Sequence, residues 1–132
     1  MSHFTTVKTK LRDVQCIKQA LEDLGYEFVE AEAEQKVQVR GYQGQLTDAD
    51  LCVKASKTYD IGLRLTNQGV EFLADWWGVE TTKGVTEEEF INQLSQRYAY
   101  HKIMKEVKAQ GFSIEMEEEE EQTIQLTVRK WL

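Results

Sequence analysis

The chain has 132 residues, with 16 Lys and Arg against 23 Asp and Glu, a net charge of -7 and no proline. That length favours a single domain, 1–132, able to bury a core without disulfides or metal. The charge balance argues against sequence-independent nucleic-acid binding, which needs clustered cations, and the missing proline excludes polyproline linkers and Pro-rich ligands. Two cysteines, Cys16 and Cys52, are too few for a disulfide framework. Met1 to Arg12 lacks the hydrophobic run of a signal peptide, and no stretch approaches the ~18 apolar residues of a membrane span. These features predict a soluble intracellular protein with reduced thiols.

Thr5 to Leu11 alternates with a strand period. Asp13 reads as an N-cap for a helix whose stripe is Val14, Ile17, Leu21 and Leu24, and Gly25 ends it. Tyr26 and Phe28 begin a second strand; Val37, Val39 and Gly41 fall in a third after a polar turn at Glu32 to Lys36. Leu51 to Ala55, Tyr59 to Leu65 and Val70 to Trp76 alternate and are joined by short polar turns, which predicts antiparallel pairing. Thr86 and Glu89 form a capping box opening a second main helix that runs to about Gln110, where Gly111 is the stop. Phe112 to Met116 and Ile124 to Val128 are the last strands, with the acidic run Glu115 to Glu121 around their turn.

Two segments share a plan of strand, helix, strand, strand. Val14, Ile17, Leu21, Gly25, Tyr26 and Phe28 correspond to Tyr100, Ile103, Val107, Gly111, Phe112 and Ile114. Duplication and convergence both account for this. Either way the content predicts an α+β fold: an antiparallel sheet with two main helices and a central hairpin between the two halves.

No residue set has the spacing of a metal site or a catalytic constellation. His3 and His101 have no Cys or His partner at zinc spacing. Cys16 sits in the first turn of its helix, where the dipole would lower its pKa somewhat. Arg40-Gly41-Tyr42-Gln43-Gly44-Gln45 matches no phosphate loop; it is either a flexible turn or a recognition loop presenting Arg40, Tyr42 and Gln45. If Ala74 to Gly78 is extended, Trp76 and Trp77 point to opposite faces, so one of them lies under a loop or anchors an interface. Gln96 to His101 places Arg97, Tyr98, Tyr100 and His101 within six helical positions. They form either a polar seam or, with Asp75, a pocket for a planar or anionic ligand. The run Glu115 to Glu121 holds six Glu. It is a solvated turn or a dock for a basic partner, and the rest of the chain is nearly neutral.

Several of these strings, in this order and spacing, resemble the hypothetical chloroplast reading frame 35 family of cyanobacteria and algal plastids. They are Met1-Ser2-His3-Phe4, Arg40-Gly41-Tyr42 with Gly44-Gln45, Tyr59-Asp60-Ile61-Gly62 and Ala74-Asp75-Trp76. Gln96 to His101, Gln110-Gly111-Phe112 and Val128-Arg129-Lys130-Trp131 complete the set. The resemblance implies the cyanobacterial cytoplasm or the plastid stroma. It brings no catalytic residues and no cofactor. It offers an AAA-type ATPase or a ferredoxin-like protein as partner classes. Together these readings predict a non-enzymatic accessory or adaptor protein that binds a protein partner through Arg40, Tyr42, Gln45, Trp76 and Trp77. The alternative is a ligand binder or enzyme built on Asp75, Arg97, Tyr100 and His101.

Overall fold

A computed structural model describes residues 3–120 and 123–130, with side chains over 3–111. The elements in chain order are β1 (Thr5–Lys8), α1 (Val14–Asp23), β2 (Glu27–Glu30), β3 (Val37–Arg40), β4 (Leu46–Ala49), β5 (Leu51–Lys54) and β6 (Asp60–Thr66). They continue with β7 (Gly69–Ala74), α2 (Trp76–Lys83), α3 (Glu87–Ala109), β8 (Phe112–Glu120) and β9 (Thr123–Lys130). The chain is α+β. It forms two compact units, one of Met1–Arg12 with Gly25–Phe90 and one of Asp13–Leu24 with Ile91–Leu132.

The first unit is built on a five-stranded sheet of order β1-β7-β6-β5-β2, antiparallel throughout. The expected central hairpin is there: Leu51 stands opposite Leu63 and Val53 opposite Ile61. Cross-strand partners share a face. On one face Val53, Ile61, Leu63, Val70 and Phe72 are buried. Phe90 closes this core, meeting Tyr26 edge-on at 5.5 Å, Phe72 at 5.9 Å and Trp76 at 5.9 Å. On the other face Cys52, Gly62 and Leu73 lie under the β3–β4 hairpin, which buries Val39 and Ala49 there. Gly62 is required for that approach, because a Cβ would stand 2.7 Å from Val39 Cγ2. Side chains are buried on both faces of the sheet, and so β6 begins with four consecutive buried residues.

Two expectations change here. The segment Trp76–Lys83 is helical, so the strand read to Trp76 ends at Ala74. Asp75 caps α2 through Oδ1, which accepts from Gly78 N at 3.1 Å, and Thr82 Oγ1 returns a bond to Gly78 O at 2.7 Å. The strand β4 lies where the sequence shows only the exit of a loop. It forms because Ala49 fits the small gap above Gly62.

In the second unit, Asp13 Oδ1 caps α1 by accepting from Cys16 N at 3.2 Å. At the start of α3, which lies in the first unit, Thr86 and Glu89 exchange the two capping-box bonds, at 3.1 and 3.0 Å. The strands β8 and β9 pair with each other, with a bulge between Ile114 and Met116. By contrast β2 pairs with β5, and β3 with β4. The two halves therefore share element order but not strand pairing, and α2 interrupts the second. The backbone of Glu115 to Glu120 lies in β8; Glu121 and the side chains of the acidic run lie outside the described residues.

Candidate functional site

The loop after β3 is held from within. Gly41 N donates to Gln45 O at 2.8 Å, and Gln43 and Gly44 take left-handed conformations, with φ of 53° and 78°. Arg40 does not project as a free recognition group. Its Nε and Nη2 grip the two oxygens of Asp60 at 2.9 Å each, and its main-chain N donates to Asp60 Oδ2 at 2.8 Å. Nη1 and Nη2 also reach the carbonyls of Lys57 and Ser56, at 2.6 and 3.2 Å. Asp60 is fully buried. Burial drives its carboxyl upward, but the bonds from Arg40 and the nearby Lys54 outweigh it and hold the group below its ordinary value. The same neighbourhood pushes the Cys52 thiol up to about 11, first by burial and then by the charge of Asp60. Tyr42 and Gln45 are exposed on the outside of the loop.

The Trp pair divides as the sequence predicts, for a different reason. Successive helical residues point about 100° apart, so α2 buries Trp76 against Phe90 and leaves Trp77 58% exposed. Trp76, Trp77, Glu80, Thr86, Glu87 and Glu88 line an open cavity of about 570 Å³. The exposed indole is thus framed by three exposed carboxylates. Among the described residues, Trp76 Nε1 and Asp75 Oδ2 are buried with no hydrogen-bond partner. Gly78 sits over Tyr59 so tightly that a Cβ would lie 2.0 Å from the ring.

In the second unit, Arg97, Tyr100 and His101 come together around Asp23. Arg97 Nη2 and His101 Nε2 reach Asp23 Oδ2 at 2.8 and 2.5 Å. The Arg97 guanidinium lies 4.6 Å from the Tyr100 ring centre, and the Tyr100 and His101 rings meet edge-on at 5.1 Å. At the other end of α1, Asp13 holds Lys105 at 2.7 Å and its N–H donates to Tyr98 Oη at 3.1 Å. Lys105 is the main cause that draws the Asp13 carboxyl down to about 2. Burial raises the Asp23 carboxyl, but the bonds from His101 and Arg97 prevail and lower it. These residues make a polar seam that clamps both ends of α1 to α3. Tyr100 and His101 also border an open cavity of about 400 Å³, with Gln15, Gln19, Lys105 and Lys108. Asp75 belongs to the first unit, where it is the cap of α2. The dipole expectation for Cys16 is corrected: burial first, and Asp13 next, raise its thiol above the ordinary value.

Sequence reasoning missed the Asp60 carboxylate and the acidic frame of Trp77, since both depend on residues brought together by the fold. Among the described residues no group of His, Cys, Asp and Glu is placed to hold a metal ion, and no helix is long and apolar enough to cross a membrane.

The chain is similar to known sequences along most of its length. The family described as protein of unknown function (DUF1257) matches residues 20–127. A relative from Guillardia theta named "Uncharacterized protein ycf35" is 33% identical, covering 99% of this chain and 98% of its own length. Relatives of the same name from Pyropia yezoensis and Cyanophora paradoxa are 31% and 29% identical, again over 99% of this chain and 98% of their own length. No solved structure gives a significant match.

Proposed function

The chain belongs to the DUF1257 family, and on that premise we propose that the protein is a non-enzymatic accessory protein of photosynthetic cells that acts through protein–protein contacts. Trp77 is the observation that carries this reading. A 58% exposed indole on a helix otherwise docked by Trp76 and Val79 has no role in the core, and Trp is among the residue types enriched in interface hot spots. Its carboxylate frame of Glu80, Glu87 and Glu88 selects the partner chemistry. A Lys or Arg side chain of a basic segment can stack on the indole while its charge meets the carboxylates. The partner classes to examine first are an AAA-type ATPase and a ferredoxin-like protein, and the site of action is the plastid stroma or the cyanobacterial cytoplasm.

The test is affinity purification from a photosynthetic host with wild-type protein and Trp77→Ala, read by quantitative mass spectrometry. A partner recovered about tenfold less with the variant supports the reading. Equal recovery of every partner by two proteins of equal stability refutes it.

A further inference from the structure

The sheet of the first unit ends in a strand whose charge and geometry fit a ligand. In the order β1-β7-β6-β5-β2, β1 is outermost. Pairing with β7 runs on past Lys8, because Thr9 N donates to Val70 O at 3.2 Å and Val70 N donates to Leu11 O at 2.8 Å. With Thr9 N bonded to Val70 O, the alternation of an antiparallel ladder turns the main-chain groups of Thr5 and Val7 inward and those of Thr6 and Lys8 outward; beyond Thr9 the strand is bulged, since Val70 N bonds Leu11 O and not Thr9 O. Lys8, Lys10 and Arg12 follow one another at every second position and are all exposed. With Thr66, Gln68 and Glu71 these three cations line an open cavity of about 660 Å³.

Lysines on an edge strand keep a second copy of the same edge from pairing with it, since like charges would face each other. Toward a strand of opposite charge the same lysines attract. Glu71 stands directly opposite Lys8 and interrupts the cationic strip. Together with the net charge of -7, it disfavours the continuous phosphates of a nucleic acid. An extended peptide seated outside β1 has Lys8 between its carboxylates and Glu71, and it alone makes use of the outward main-chain groups.

We propose that β1 is a docking edge for an extended acidic segment of a partner protein, with Glu or Asp at alternate positions, which joins the sheet as a sixth strand. Main-chain bonds to Thr6 and Lys8 hold the segment, and its carboxylates meet Lys8 and Lys10. This edge is separate from Trp77 and stands or falls independently of it.

The probe is a fluorescein-labelled peptide of sequence Glu-Thr-Glu-Val-Glu-Thr-Glu, titrated with the full chain and followed by anisotropy and by backbone amide shifts. The expected result is saturable binding with shifts concentrated in Thr5 to Arg12. Binding should weaken about tenfold for Lys8→Glu/Lys10→Glu and about tenfold for a peptide N-methylated at alternate amides, which keeps its charge but cannot complete the ladder. Both lysines are exposed, and an unchanged urea midpoint confirms that the variant folds. Four results overturn the proposal: no binding, equal binding of the N-methylated peptide, tighter binding of a single-stranded oligonucleotide, or self-association of the protein that Lys8→Glu/Lys10→Glu abolishes.

Discussion

Replacing Arg40 by Met strips a fully buried carboxylate of its two side-chain bonds while keeping most of the apolar stem. Removing one member of a buried pair costs about 3–5 kcal/mol. Arg40 is itself 37% exposed, and the main-chain bond from residue 40 to Asp60 survives, which places the loss at the low end, about 3 kcal/mol. For a chain of this size that corresponds to a fall in Tm of about 12 °C. Asp60→Asn removes the stranded charge, so Arg40→Met/Asp60→Asn should be more stable than the sum of the single effects by about 1.5 kcal/mol or more. The pH dependence carries the same signature. In the wild type the Asp60 carboxyl is lowered, so its contribution is present above its unfolded value and is lost as pH falls through the folded one. In Arg40→Met the two guanidinium bonds that lower the carboxyl are gone while burial, Lys54 and the main-chain bond from residue 40 remain, so the folded value rises and the cost of the substitution fades as pH falls toward about 4. Urea unfolding of the four proteins near neutral pH and in mild acid measures every quantity. A cost below about 1 kcal/mol for Arg40→Met, or strict additivity in the double variant, refutes the reasoning.

Further outcomes follow from other contacts. Gly78→Ala drives a methyl into the Tyr59 ring and should cost about 1–2 kcal/mol net of its helix-propensity gain, with partial recovery in a Tyr59→Leu background, measured by urea unfolding. Asp13→Ala removes both the α1 cap and the Lys105 pair and should cost about 1–2 kcal/mol near neutral pH. Because the Asp13 carboxyl is held at about 2 against an ordinary 3.8, that difference should disappear as acid carries the pH downward between those two values. Asp23→Asn should cost about 1 kcal/mol near neutral pH, and the loss should shrink in acid, since the native carboxyl is lowered. Trp77→Ala should leave the urea midpoint within about 0.5 kcal/mol of wild type, as expected for an exposed side chain outside the core.

The parts of the fold legible in the sequence are those decided by neighbouring residues. Asp13, Gly25, Thr86 with Glu89, and Gly111 announce their caps locally, and each is found in that role or, for the glycines, with φ of 83° and 80°. The helix α2 is not legible, because Gly78, Thr81 and Thr82 are poor helix formers; it is fixed by the Asp75 cap and by Tyr59 accepting only a glycine above it. The strand β4, Leu-Thr-Asp-Ala, lacks strand propensity and owes its form to the gap over Gly62. In the candidate sites, the unequal fates of Trp76 and Trp77 were readable from adjacency alone. The inward commitment of Arg40 was not, since Asp60 lies twenty positions away. Nor was the shift at Cys16, where burial outweighs the helix dipole.

The interruption of the first unit by Asp13–Leu24 bears on how the chain is made. The strand β1 is synthesised more than sixty residues before its partner residues, which run from Glu71 to Ala74. At about 5–20 residues per second, translation leaves β1 without a mate for several seconds. During that interval its alternating Lys8, Lys10 and Arg12 are a safeguard, repelling the same strand on neighbouring nascent chains. The sheet can close only when β7 arrives, so β1 pairing belongs to the late, long-range steps of folding. A chain truncated before Gly69 should therefore emerge with β1 still open to protease.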